Sequence, residues 1–125
     1  MLQMTTTLSE VKPKCKLWLT SQTRQSPFGD GKWRLLKAID QTGSLKAATE
    51  LLGISYRKAW GDLKNVQTLL GADLIEKHRG GKQGGTTCLT PLGKKWLDAY
   101  TNFRSDIDTA MTTAYDKHIK ELNTN

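Results

Sequence analysis

Ser55, Tyr56, Arg57 and Lys58 form one polar and basic run, and Lys64 and Asn65 follow about two turns later if the segment is helical. The fork of Arg57 matches the O6 and N7 edge of guanine. Lys58 and Lys64 suit phosphate, which sets register rather than sequence, and Asn65 shares their face. A second basic group lies downstream, where Arg79 and Lys82 bracket Gly80 and Gly81, and Gly84 and Gly85 follow. Glycine lets backbone approach a phosphate closely. A nucleotide-binding phosphate loop is excluded, because it needs Gly where Glu76 stands and Ser or Thr where Gln83 stands.

Other chemistries find no pattern. His78 and His118 are isolated, the acids are scattered, and no Ser–His–acid order fits, so no enzyme is expected. Cys15 and Cys88 are far apart, with no CxxC and no His pair nearby, so neither a metal nor a redox cofactor is expected. Charge points elsewhere. Residues 1–98 carry sixteen of the nineteen Lys and Arg and eight of the twelve Asp and Glu, a net of +8, whereas residues 99–125 are at −1. A basic excess of this size suits a polyanion. With neither a membrane-length apolar run nor a signal-peptide core, the chain reads as cytoplasmic.

The elements that must carry these residues follow from periodicity. Residues 1–13 are polar and read as a mobile leader. Residues 14–20 alternate as a strand, with Cys15, Leu17 and Leu19 on one side. Residues 21–30 are rich in turn formers and connect to a helix over 32–41 that ends at Gly43. Ser44 caps a short second helix whose inner face is Leu45, Ala48, Thr49 and Leu52, closed by Gly53. Ser55 caps a third over 56–70, with Ala59, Leu63, Val66 and Leu70 inward, Tyr56 and Trp60 at the margin, and Gly71 as stop. Two helices joined by such a turn form a helix-turn-helix. The short runs 74–79 and 86–90 around the glycine-rich loop form a hairpin, or wing.

Thr90 and Pro91 then start a long helix. Its stripe is Leu92, Trp96, Ala99, Phe103, Ile107, Ala110 and Ala114, broadened by Leu97, Tyr100, Met111 and Tyr115. A helix of some 30 residues, about 45 Å long, exceeds what so small a domain can cover, so a partner helix is expected. The fold class is mainly α with a small β component. A mobile segment (1–13), a winged helix-turn-helix (14–90) and a long C-terminal dimerisation helix (91–125) follow in order.

Phe28-Gly29-Asp30-Gly31, Thr42-Gly43-Ser44, the segment from Gly53 to Trp60 with its Ser-Tyr-Arg-Lys-Ala-Trp core, the glycine-rich wing and Leu89-Thr90-Pro91-Leu92-Gly93 resemble one family. They are similar to the N-terminal DNA-binding domain of ModE-type molybdate-responsive regulators, which are LysR-like. The resemblance covers roughly residues 14–100. It implies a winged helix that dimerises partly through the helix after the wing, and a link to molybdate or tungstate transport. The oxyanion-binding module that full-length members add is not expected within these 125 residues, so no oxyanion ligand is assigned. Gly61 departs from the pattern, since a better helix former is expected there.

Two functional classes stay open on sequence. The first is a homodimeric regulator binding specific double-stranded DNA through Ser55, Tyr56, Arg57, Lys58, Lys64, Asn65, Arg79 and Lys82. The second is a winged-helix protein-interaction adaptor without specific DNA binding. A sensor with a ligand at its dimer interface is a third possibility, but no residue pattern supports a defined ligand.

Overall fold

The computed structural model describes residues 11–23, 25–80 and 85–123. Most of the expected mobile leader, residues 1–10, lies outside them. The order is β1 (Trp18–Leu19), β2 (Phe28–Gly29), α1 (Asp30–Thr42), α2 (Leu45–Leu52), α3 (Tyr56–Leu70), β3 (Ile75–His78), β4 (Thr86–Leu89) and α4 (Pro91–His118), then a 3-10 turn at Lys120–Asn123. The protein is mainly α with two small antiparallel sheets, β1 with β2 and β3 with β4.

Local signals set most of the boundaries. Ser44 Oγ accepts from the backbone N–H of Ala47 at 3.1 Å, and Ser55 Oγ accepts from that of Lys58 at 3.0 Å. Each hydroxyl satisfies a donor that the first helical turn leaves free. Between α2 and α3, Gly53 sits at φ 69°, a left-handed conformation that disfavours a side chain. There the N–H of Ile54 reaches Thr49 O and that of Gly53 reaches Glu50 O, closing a Schellman turn. Gly43 and Gly71 end α1 and α3 in the same conformation.

The amphipathic reading of α2 and α3 holds. Leu45, Ala48 and Thr49 of α2 and Ala59, Leu63 and Val66 of α3 are buried, while Leu52 and Leu70 are half-buried. They join Phe28, Leu35, Leu36, Ile39 and Leu74 in one core. Its gain comes from removing apolar surface from water, about 25 cal/mol per Å2.

Two expectations need correction. The strand over 14–20 keeps its alternation, with Cys15, Leu17 and Leu19 half-buried, but pairs only at Trp18 and Leu19. Its partner is just two residues long, because α1 starts at Asp30 rather than at 32. Residues 21–30 are accordingly more than a connector, since Phe28 pairs with Leu19 and is fully buried. In α4 the residues buried in the chain's own core are Gly93, Leu97 and Tyr100. Leu92, Ala99, Phe103, Ala110 and Ala114, from the stripe expected to meet a partner helix, are exposed. Helical spacing marks apolar rows on a surface but does not say which row meets the chain's own core.

The described residues fall into two compact units, one from Leu17 to Thr101 and a smaller one that joins the described segment before Leu17 to the chain after Thr101. Within the first, Asp30 is the buried hub. Its carboxylate accepts from the N–H of Leu17 at 3.0 Å and lies 2.8 Å from the Tyr100 hydroxyl. Within the second, Arg104 Nη2 donates to Cys15 O at 2.8 Å and pairs with Asp108, and the Tyr115 hydroxyl donates to Val11 O.

Candidate nucleic-acid interface

The tip of α3 projects outward because its buried residues, Ala59, Leu63 and Val66, recur at three- and four-residue spacing, which leaves the opposite row to solvent. Ser55, Tyr56, Arg57, Lys58, Lys64 and Asn65 are all exposed. Among the described residues, the side chains of Arg57, Lys64 and Asn65 make no hydrogen bond or ion pair. Lys58 differs, because its Nζ pairs with Asp62 Oδ2 at 2.9 Å, one helical turn on. Its charge is partly compensated before any ligand arrives. Gly61 lies exposed between these residues, with open space where a Cβ would sit.

The wing is anchored at its base. The carboxamide oxygen of Gln67 accepts from the N–H groups of Leu74 and Ile75 at 2.8 and 3.2 Å, tying the end of α3 to the start of β3. The N–H of Thr87 reaches Gly43 O at 2.9 Å, tying β4 to the end of α1. The register pairs Ile75 with Leu89, Glu76 with Cys88, Lys77 with Thr87 and His78 with Thr86. Ile75, Thr87, Lys77 and Leu89 therefore share the inner face. Glu76, Cys88, His78 and Thr86 share the outer one.

Lys77 is the residue that sequence reasoning missed. Its Nζ donates to the Tyr56 hydroxyl at 2.8 Å and lies 4.0 Å from the centroid of the Trp60 ring. That hydrogen bond, acting against desolvation, holds the Tyr56 phenol below its ordinary pKa of 10.0. Tyr56 is thus committed to the wing as well as to the tip of α3. The available signal was the two-residue spacing from buried Ile75, which puts Lys77 on the inward side of its strand.

Between the hairpin and the helices opens a cleft of about 670 Å3, with Ser44, Lys46, Tyr56, Lys77, Arg79 and Thr86 among its lining. Arg79 is exposed beside it. Lys46, in the first turn of α2, is a further cation that the sequence analysis passed over. Lys82 lies outside the described residues. Trp60 is half-buried and packs against the core. The hairpin also brings Cys88 beside Glu76 and His78, a grouping that cysteine spacing does not reveal.

No helix among the described residues is long and apolar enough to cross a membrane. Residues 31–94 match the model of the bacterial regulatory helix-turn-helix proteins, lysR family. The chain is 36% identical over 87 residues to the molybdenum-pterin-binding protein MopB of Rhodobacter capsulatus, covering 70% of this chain and 32% of that protein. It is 36% identical over 88 residues to the transcriptional regulator ModE of Yersinia pestis, covering 70% and 34%. Against the DNA-binding transcriptional dual regulator ModE of Escherichia coli K12 the identity is 33% over 88 residues, with the same coverage. The chain spans about a third of the length of these relatives. Matched over a helix-turn-helix, a wing hairpin and the start of the following helix, the chain belongs to the bacterial regulatory helix-turn-helix proteins of the lysR family.

Proposed function

We propose that this chain is a cytoplasmic, sequence-specific regulator of transcription that binds double-stranded DNA as a homodimer, and that it is not an enzyme. One observation carries the reading: the first turn of α3 is exposed and presents Arg57 with no partner among the described residues. A recognition helix meets the major groove by that end. Arg57 reads guanine, while Ser55, Tyr56, Lys58, Lys64 and Asn65 contact the backbone or adjacent edges. Arg79 and Lys82 hold the wing to phosphate. Residues 14–90 form the DNA-binding domain and α4, from Pro91 to His118, the dimerisation helix, with exposed Leu92 and Ala99 among the residues offered to a second copy. The names of several relatives concern molybdenum, one reading "Molybdenum transport protein ModE", which supports a link of the regulated genes to molybdenum transport.

Selection from random duplexes, followed by binding titrations at several salt concentrations, tests the proposal. The expected result is an inverted repeat, with half-sites one or two helical turns apart and a steep salt slope. Absence of sequence preference at every salt concentration overturns it and favours the adaptor reading. A monomer in sedimentation at micromolar concentration removes the dimer.

A further inference from the structure

We propose that the outer face of the wing hairpin is a binding site for a divalent transition metal of the zinc class, with Glu76, His78 and Cys88 as its protein ligands. Glu76 and Cys88 are directly opposed in the β3–β4 register, and His78 follows Glu76 by two residues, so all three project from one face. Their donor atoms all lie within 4.8 Å of one another. His78 Nε2 is 3.6 Å from Glu76 Oε2. That separation is too long for a hydrogen bond but matches two ligands of one ion. Metal–ligand bonds of about 2.0–2.3 Å in tetrahedral geometry place donors ~3.3–3.8 Å apart. Closing the widest gap takes a movement of about 1 Å, within reach of rotations in exposed side chains.

The donor set selects the metal. A thiolate with an imidazole favours zinc-class ions over magnesium or calcium, which take oxygen ligands. Three protein ligands leave a fourth position open to water or another donor, and the face is solvent-exposed, so the ion can enter. Binding requires Cys88 as thiolate and His78 as neutral imidazole. One proton leaves the Cys88 thiol for each ion taken up, and the face becomes one charge more positive. None of this depends on the DNA-binding reading.

Titration of the untagged, reduced chain with Co2+ tests the site, because cobalt reports its ligands spectroscopically. Expected are one equivalent bound, a thiolate-to-cobalt charge-transfer band with tetrahedral d–d bands, and displacement of both by Zn2+. Cys88→Ser abolishes the charge-transfer band. His78→Ala and Glu76→Gln each weaken affinity at least ~10-fold, with the far-ultraviolet circular dichroism of the wild type retained. Cys15→Ser leaves the spectrum intact. Absence of a charge-transfer band, its survival in Cys88→Ser, or its loss in Cys15→Ser overturns the proposal. Unchanged affinity in both His78→Ala and Glu76→Gln does so as well.

Discussion

The ammonium of Lys77 stands 4.0 Å from the ring centroid of Trp60, joining the inner face of the wing to the helix that carries Arg57. A cation over an indole at this distance contributes about 0.5–1 kcal/mol at an exposed site. Here it also sets where the hairpin lies against α3, since the same ammonium holds the Tyr56 hydroxyl.

Lys77→Met therefore lowers stability by about 0.5–1 kcal/mol in denaturant titrations and moves the Tyr56 titration upward toward 10.0, followed by ring-carbon NMR. The sign follows from linkage. An acid with a lowered folded pKa contributes stability fully above its unfolded value and loses it as pH falls through the depressed one. At neutral pH that linked contribution is absent, so the loss measured there reports packing and the cation–ring contact. An unmoved Tyr56 titration would show that the contact is not made in solution.

Arg57 and Lys58 separate by their partners. Under the proposed function, Arg57→Ala costs roughly 1–3 kcal/mol in binding to the selected site and relaxes preference at one position per half-site. Asp62→Asn releases Lys58 from its ion pair and raises affinity for all duplexes alike, with a steeper salt dependence. Equal effects of Arg57→Ala on selected and random DNA would remove Arg57 as a reader of bases.

Gly61→Ala stabilises the protein by up to ~1 kcal/mol, because alanine is the better helix former and the space beside Gly61 is open. Thermal unfolding measures the gain. DNA affinity is expected to stay level. A loss of affinity in the stabilised variant would mean that the glycine admits DNA backbone close to α3.

Gly93→Ala acts in the opposite direction. A Cβ at this position would collide with the carbonyl oxygen of Leu74, which also accepts from the N–H of Thr90 at 3.0 Å. Overpacking against backbone costs roughly 1–3 kcal/mol or more. The expected result is a clearly lowered unfolding midpoint, and an unchanged midpoint would show that the start of α4 does not lie against the Leu74 carbonyl.

Elements governed by neighbours in the chain were legible from the residues. Ser44 and Ser55 cap helices, Gly43, Gly53 and Gly71 end them, and Thr90 with Pro91 opens α4, because capping and left-handed backbone act over three or four residues. The inner rows of α2 and α3 and the basic tip at Arg57 follow from the same local period. Contacts between distant segments were not legible, since no spacing rule links residues brought together only by folding. Burial of Phe28, the meeting of Asp30 with Tyr100, the choice of the Leu97 and Tyr100 row as the inner face of α4, and the approach of Lys77 to Trp60 are of this kind. So is the gathering of Glu76, His78 and Cys88, which only strand pairing could bring within reach of one ion.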